Sequence, residues 1–217
     1  MSAQISAIIL AAGESRRMGQ PKLLLPWGKT TVLGQVITTF TAAGIQDIVV
    51  VTGGAREQVE ALAAELKKKY PVRTVYNPAY ANGGMLSSIQ TGLRDLTLPP
   101  PSLRDTSPKS EGFGGGRVGA ALITLGDQPQ VRAETIRHIC AAFIQTESPL
   151  VIPSFENRRG HPWLASHSLW PEILALPAST TPREFLNNYA GQIAYVEADE
   201  SILQDLDTPE EYNRQRP

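Results

Sequence analysis

The chain has 217 residues, 41% of them hydrophobic and 19% charged, with a formal charge of −1. Such a chain is long enough to bury a sizeable core, and its near-neutral charge gives no reason to expect general nucleic-acid binding. A single cysteine, Cys140, excludes an internal disulfide or a cysteine-rich metal site, and no apolar run approaches the roughly 20 residues of a membrane span. The N-terminus carries no basic segment ahead of its first apolar run, so the sequence points to a cytoplasmic protein.

Residues 5–10 form an apolar run suited to a buried strand. It breaks into Ala11, Ala12 and Gly13, small residues that let backbone approach a ligand closely. A polar, basic loop follows with Ser15, Arg16, Arg17 and Gly19, and ends at Pro21-Lys22. Backbone N–H groups and fixed cations in such a loop suit a polyphosphate. The loop is neither GxxxxGK[ST] nor GxGxxG, and its local chemistry also fits an ordinary surface turn.

Thr30 or Thr31 then caps a helix carrying Leu33, Val36, Ile37 and Phe40, which Gly44 ends. Residues 48–51 are a short β-branched strand, and Gly53-Gly54 turns the chain. Val59, Leu62, Leu66 and Tyr70 mark a second helix, with Lys67, Lys68 and Lys69 near its C-terminus, and Pro71 stops it. Residues 72–76 are the next strand. The order β-α-β-α-β is that of a doubly wound parallel sheet, an α/β, Rossmann-like three-layer sandwich.

Asn82-Gly83-Gly84 opens a third helix with Leu86, Ile89 and Leu93 on one face. Ser87 and Ser88 in its first turn are either ordinary helix-start residues or phosphate contacts. Residues 99–117 are rich in Pro, Gly and Ser and poor in core formers, so we read a mobile insertion within one domain spanning residues 1–217. Residues 118–125 are the fourth strand, ending in Gly126-Asp127-Gln128-Pro129. Ligands of open α/β sheets collect beyond the carboxyl ends of strands, so Asp127 belongs at the edge that carries the 11–22 loop, unless it is simply a turn former.

Residues 131–145 form a helix with Cys140 in its apolar stripe, followed by a strand at 150–153. Arg158, Arg159 and His161 then make a positively charged turn beside Gly160 and Pro162. Trp163, Leu164, Leu169 and Trp170 read as packing residues. A short helix over 182–189 carries Arg183, and 193–196 is a strand. Thr208 or Asp207 caps a last helix beginning at Pro209.

Two aspartates on separate segments, with a cationic loop and little else, suit Mg²⁺, which keeps waters and takes phosphate ligands. Zinc would want histidine or cysteine clusters, and no Ser-His-Asp arrangement is readable. Chemistry that needs metal, cations and positioning is phosphoryl or nucleotidyl transfer.

The string LAAGESRRMGQPK resembles the signature of the MobA-like nucleotidyltransferases, matching at Leu10, Ala11, Ala12, Gly13, Ser15, Arg17, Met18, Gly19, Pro21 and Lys22. NPAYANGGMLSSIQTGL, GDQP, GHP and DLDTPEEY follow in that family's order. The opening Ala11-Ala12-Gly13 is similar to the molybdenum cofactor cytidylyltransferase branch, whereas the guanylyl branch usually has two glycines there. The resemblance implies a nucleotide-diphospho-sugar-transferase-like fold and CMP transfer from CTP to molybdenum-bearing molybdopterin, with Mg²⁺ and release of pyrophosphate. It implies that Leu10–Gly13 backbone groups read the base, with Ser15, Ser87 and Ser88 nearby. Arg17 and Lys22 would bind the triphosphate and Asp127 and Asp207 the Mg²⁺, with Arg17, Lys22 and Asp127 as the catalytic set. His161 and Arg159 would face the acceptor, and a molybdoenzyme or chaperone client could receive the product. Two departures concern the acceptor side. The 99–117 insertion is long, and STTPREFL lacks the Gly-Ala-Arg pattern, with Arg183 standing nearest to that Arg. The rival readings are guanylyl transfer, a sugar or polyol phosphate acceptor, a non-catalytic cofactor chaperone, and a redox enzyme on the same scaffold.

Overall fold

The computed structural model describes residues 4–98 and 118–217. The 99–117 insertion therefore lies outside the described residues. Strand β1 (Gln4–Ala11) leads through two short 3-10 turns to a small hairpin, β2 (Pro26–Trp27) and β3 (Thr30–Thr31). Helix α1 (Val32–Ala42) follows, with the Thr31 hydroxyl accepting from the Gly34 N–H at its start. Then come β4 (Ile48–Thr52), α2 (Arg56–Leu66), β5 (Val72–Tyr76), α3 (Gly84–Thr97) and β6 (Val118–Leu125). The second half holds α4 (Ala133–Thr146), β7 (Leu150–Phe155), β8 (Arg158–Arg159), β9 (Trp163–Ser166), α5 (Trp170–Ala175), α6 (Pro182–Asn188), β10 (Ile193–Glu197) and α7 (Pro209–Gln215).

The eight-stranded sheet runs β10-β7-β9-β6-β1-β4-β5, with β8 paired to β7. It is parallel except for β9, antiparallel to both β6 and β7, and β8, antiparallel to β7. This is the expected α/β sandwich with a mostly parallel sheet. Its central strands β1, β4 and β6 are buried on both faces along most of their length, which is why they read as continuous apolar runs, whereas the edge strands β5 and β10 are half-buried. Ile9, Val50 and Leu122 pack on one side with Val36, Ile37 and Phe40 of α1 and Ile136 and Ile139 of α4. Ile8, Val49 and Ile123 pack on the other with Ile89 and Leu93 of α3 and Trp170 and Phe185.

Register places the site. Leu10 stands opposite both Val51 and Leu125, so β1, β4 and β6 end level. The chain leaves the sheet there at three adjacent points: the loop after Ala11, Gly53-Gly54 and Gly126-Asp127. The Gly54 N–H donates to Ala12 O at 3.1 Å and the Gly126 N–H to Leu10 O at 2.9 Å. Among the described residues, no helix is long and apolar enough to cross a membrane.

Candidate active site

The loop after β1 is held by its own apolar residues. Met18 and Leu23 are buried in the core, each within a short 3-10 turn. Ser15 takes a left-handed conformation at φ 51°, and its hydroxyl accepts from the Lys22 N–H at 3.2 Å. The loop thus closes on itself, and the Lys22 side chain turns inward to 14% exposure.

Lys22 Nζ meets two carboxylates at once. It pairs with Asp127, at the end of β6, and lies 2.8 Å from Asp207 Oδ1. Arg17 Nη2 adds a contact of 2.6 Å to Asp207 Oδ2. Burial pulls the Lys22 pKa down, but the Asp127 charge and the hydrogen bonds to both aspartates outweigh it, so the ammonium is held above its ordinary pKa. Hydrogen bonding from Lys22, with the charges of Lys22 and Arg17, overcomes desolvation and lowers the pKa of Asp207.

The last helix delivers Asp207. Thr208 caps α7, its hydroxyl accepting from the Glu211 N–H at 3.2 Å, while Glu211 Oε2 accepts from the Asp207 and Thr208 N–H groups at 2.9 Å each. Leu206 is fully buried, and the Tyr212 hydroxyl donates to Pro26 O at 2.5 Å. The C-terminal segment is therefore pinned against the far end of the same loop that carries Lys22.

A cavity of about 220 Å³ lies beside this cluster. Leu10, Ala11, Ala12, Gly13, Ser15, Lys22, Ser88 and Asp127 line it, eight of the expected residues. Arg17 and Ser87 are not in its wall. Arg17 is on the outer side of Asp207, and the Ser87 hydroxyl is engaged by Asn77 Nδ2 at 2.8 Å and Gly84 O at 3.0 Å. Buried Asn77 also donates to the Ser88 hydroxyl at 3.0 Å, fixing the start of α3.

A second cavity, of about 660 Å³, opens on the other side of Met85, which borders both. Arg158, Arg159 and Arg183 give it positive charge over a floor that includes Ile152, Trp163 and Leu186, and among the described residues its wall holds no acidic side chain. Arg159 Nε donates to the Tyr195 hydroxyl and Nη1 to Asn187 Oδ1, both at 2.9 Å. His161 lines this cavity too, and desolvation lowers its pKa to about 4, so its imidazole is neutral near pH 7.

Sequence reasoning passed over four residues here. Tyr80 and Met85 lie in the cavity walls and belong to the stretch that drew attention to Ser87 and Ser88. Asp205 and Gln128 pair at 2.7 Å beside the aspartates. The signal available for Asp205 was its place two residues before Asp207 in DLDTPEEY.

An α/β sheet with a cation-bearing loop and two aspartates at its carboxyl edge is an arrangement suited to nucleotidyl transfer. Residues 7–193 match the family model described as the MobA-like NTP transferase domain, and the chain belongs to that family. It is 27% identical over 211 residues to the molybdenum cofactor cytidylyltransferase of Escherichia coli, covering 96% of this chain and 93% of that one. Nicotine blue oxidoreductase of Paenarthrobacter nicotinovorans is also 27% identical, over 97% of this chain and 95% of its own. Purine catabolism protein PucB of Bacillus subtilis is 27% identical over 99% and 97%. Among solved structures, Rv0371c of Mycobacterium tuberculosis superposes with a TM-score of 0.75 at 26% identity, covering 99% and 98% of the two chains. A manganese complex of that protein superposes at 0.67 and 24% identity, over 98% and 97%.

Proposed function

We propose that this chain transfers CMP from CTP to the terminal phosphate of molybdenum-bearing molybdopterin in the cytoplasm, releasing pyrophosphate. An acceptor phosphate oxygen bonds to the α-phosphorus while the bond from that phosphorus to the pyrophosphate oxygen breaks. The observation that carries the reading is the Lys22 ammonium held between Asp127 and Asp207 at the rim of the smaller cavity.

Those carboxylates fit a hard divalent ion. Both already reach one cationic centre, the Lys22 nitrogen, which stands in for it. Among the described residues no set of three or more His, Cys, Asp or Glu is arranged for a metal. A two-carboxylate site suits Mg²⁺ or Mn²⁺, which complete their coordination with water and phosphate. The manganese complex of the mycobacterial protein is in keeping with this. When bound, the ion supplies charge neutralisation on the triphosphate.

The chain's own groups do the rest. Backbone groups of residues 10–13 face the nucleotide, with Ser15 and Ser88 beside them. Lys22 and Arg17 pair with phosphate oxygens, and Lys22 neutralises charge building on the leaving pyrophosphate. Arg159 and the neutral His161 face the acceptor in the larger cavity, where positive charge suits its phosphate and the apolar floor suits a ring system. A two-carboxylate site disfavours a purely carrying role.

The test is pyrophosphate release with CTP, GTP or ATP, each with and without molybdenum-loaded molybdopterin. We expect release with CTP only when the loaded acceptor is present. Turnover with GTP alone would overturn the cytidylyl assignment, and no turnover with any pair would leave another acceptor or a carrier role.

A further inference from the structure

Gln128 follows Asp127 directly, and its side chain is buried at 2% exposure. Its Nε2 donates to Asp205 Oδ1 at 2.7 Å and to the Ile202 carbonyl at 3.4 Å. Both neighbours are acceptors, so the amide NH₂ must face them, and a group with two donors is what the position needs. The Ile202 carbonyl also receives the His161 N–H at 3.1 Å. One side chain therefore links the end of β6, the segment carrying Asp205 and Asp207, and the turn at the mouth of the larger cavity.

We propose that Gln128 is a positioning residue: through Asp205 and the Ile202 carbonyl, its amide sets the spacing of the Asp127 and Asp207 carboxylates and locks that pair to the acceptor-side turn. This rests on the metal reading of those two aspartates. The mechanical argument is short. Leu206 is fully buried between Asp205 and Asp207, so the segment moves as a unit, and a shift at Asp205 carries Asp207 with it. Lys22 alone cannot set the spacing, because the same carboxylates must release its ammonium to take a dication. A constraint that persists in both states has to come from elsewhere, and the Gln128 contact touches neither Lys22 nor the metal-facing oxygens of Asp127 and Asp207. Glutamate, the same size, would instead set acceptors against the Asp205 carboxylate.

The experiment titrates Mn²⁺ into the full chain, following free Mn²⁺ by electron paramagnetic resonance, for wild type, Q128A, Q128E, D205A and D205N. Partners hydrogen-bonded directly to metal ligands are typically worth about 10–100-fold in affinity, and the Gln128–Asp205 contact acts one residue further out, so Q128A, Q128E and D205A are expected to weaken Mn²⁺ binding by up to about tenfold. D205N keeps a carbonyl oxygen that accepts from Gln128 and is expected to retain most of the affinity. Amide hydrogen exchange on the metal-free protein gives a second readout: Q128A should speed exchange at the His161 and Asp207 N–H groups. Wild-type Mn²⁺ affinity in Q128A, unchanged exchange at those amides, or D205N falling as far as D205A would each overturn the proposal, the last by making the charge at 205 the active element. Equal Mn²⁺ affinity in wild type and D127A would overturn the metal reading and this role with it, a failure distinguishable because the exchange effect of Q128A would persist.

Discussion

The Lys22 ammonium lies 2.8 Å from Asp207 Oδ1 across 185 residues of chain, and the same nitrogen pairs with Asp127. A lysine between two carboxylates has two consequences that point in opposite directions. On the proposed reading it supplies the cation that a triphosphate needs, and it competes with a dication for the same oxygens.

Lys22→Ala is therefore expected to lower kcat/KM by on the order of a hundredfold, about 3 kcal/mol, since it removes charge stabilisation from the leaving group. The same variant should bind Mn²⁺ at least as tightly as wild type, because its competitor is gone. Pyrophosphate release and Mn²⁺ titration check the two halves. Weakened Mn²⁺ binding alongside lost turnover would show that Lys22 organises the carboxylates instead of opposing the ion.

Asp127→Ala is expected to abolish turnover while leaving the fold intact. Asp127 lies two residues past β6 at the sheet rim and is absent from the apolar core, whereas the strand behind it is fully buried at Ala120, Ala121, Leu122 and Ile123. Circular dichroism and thermal unfolding should match wild type within a few degrees, with pyrophosphate release at background. Retained activity would remove Asp127 from the reaction.

Much of this fold is legible in the sequence. The strands of the parallel core announce themselves because both their faces are buried, and helix α7 because Thr208, Pro209 and Glu211 are local signals that need nothing from the rest of the fold. Strand β9 was not legible. Trp163–Ser166 is four residues long, contains no β-branched residue, and enters antiparallel between β6 and β7, a placement set by tertiary packing. Helix α5 was hidden by its brevity, six residues following a 3-10 turn. The second helix also ends earlier than its apolar spacing suggested, at Leu66, leaving Lys67, Lys68 and Lys69 in the turn that follows. Gln128 looks like a turn residue in Gly-Asp-Gln-Pro, and only the approach of a segment 77 residues away gives it a partner.

His161 gives the fold a pH dependence of known sign. Desolvation holds its pKa near 4 against an ordinary value of 6.5, so the unfolded chain binds more protons between those limits. Stability contributed by the neutral ring is full above about pH 6.5 and is lost as pH falls toward 4. The shift corresponds to about 1–3 kcal/mol for a half-buried ring. Denaturant midpoints at pH 7.5 and pH 5 should separate less for His161→Asn than for wild type. An equal separation would mean that other groups carry the acid sensitivity.

Gly13, which lines the smaller cavity, and Gly53, which packs behind it against Ala12 and Tyr80, provide an opposed pair of tests. A Cβ on Gly53 would stand 2.5 Å from Ala12 O and 2.7 Å from the Tyr80 Cβ, closer than real contacts allow. The first obstacle is backbone and cannot rotate away, so Gly53→Ala must push the loop after β1 off the sheet edge. Overpacking of this kind costs typically 1–3 kcal/mol, and we expect a lowered midpoint of unfolding together with a raised KM for CTP. Among the described residues, a Cβ on Gly13 meets nothing within 4 Å. Its methyl would project into space left for a ligand, so Gly13→Ala should unfold like wild type and yet raise KM. The contrast separates a glycine that the protein needs from one that the nucleotide needs. If Gly13→Ala bound CTP normally, the nucleotide would not approach the backbone at this point, and the base would have to be read from the Tyr80 and Met85 side of the cavity.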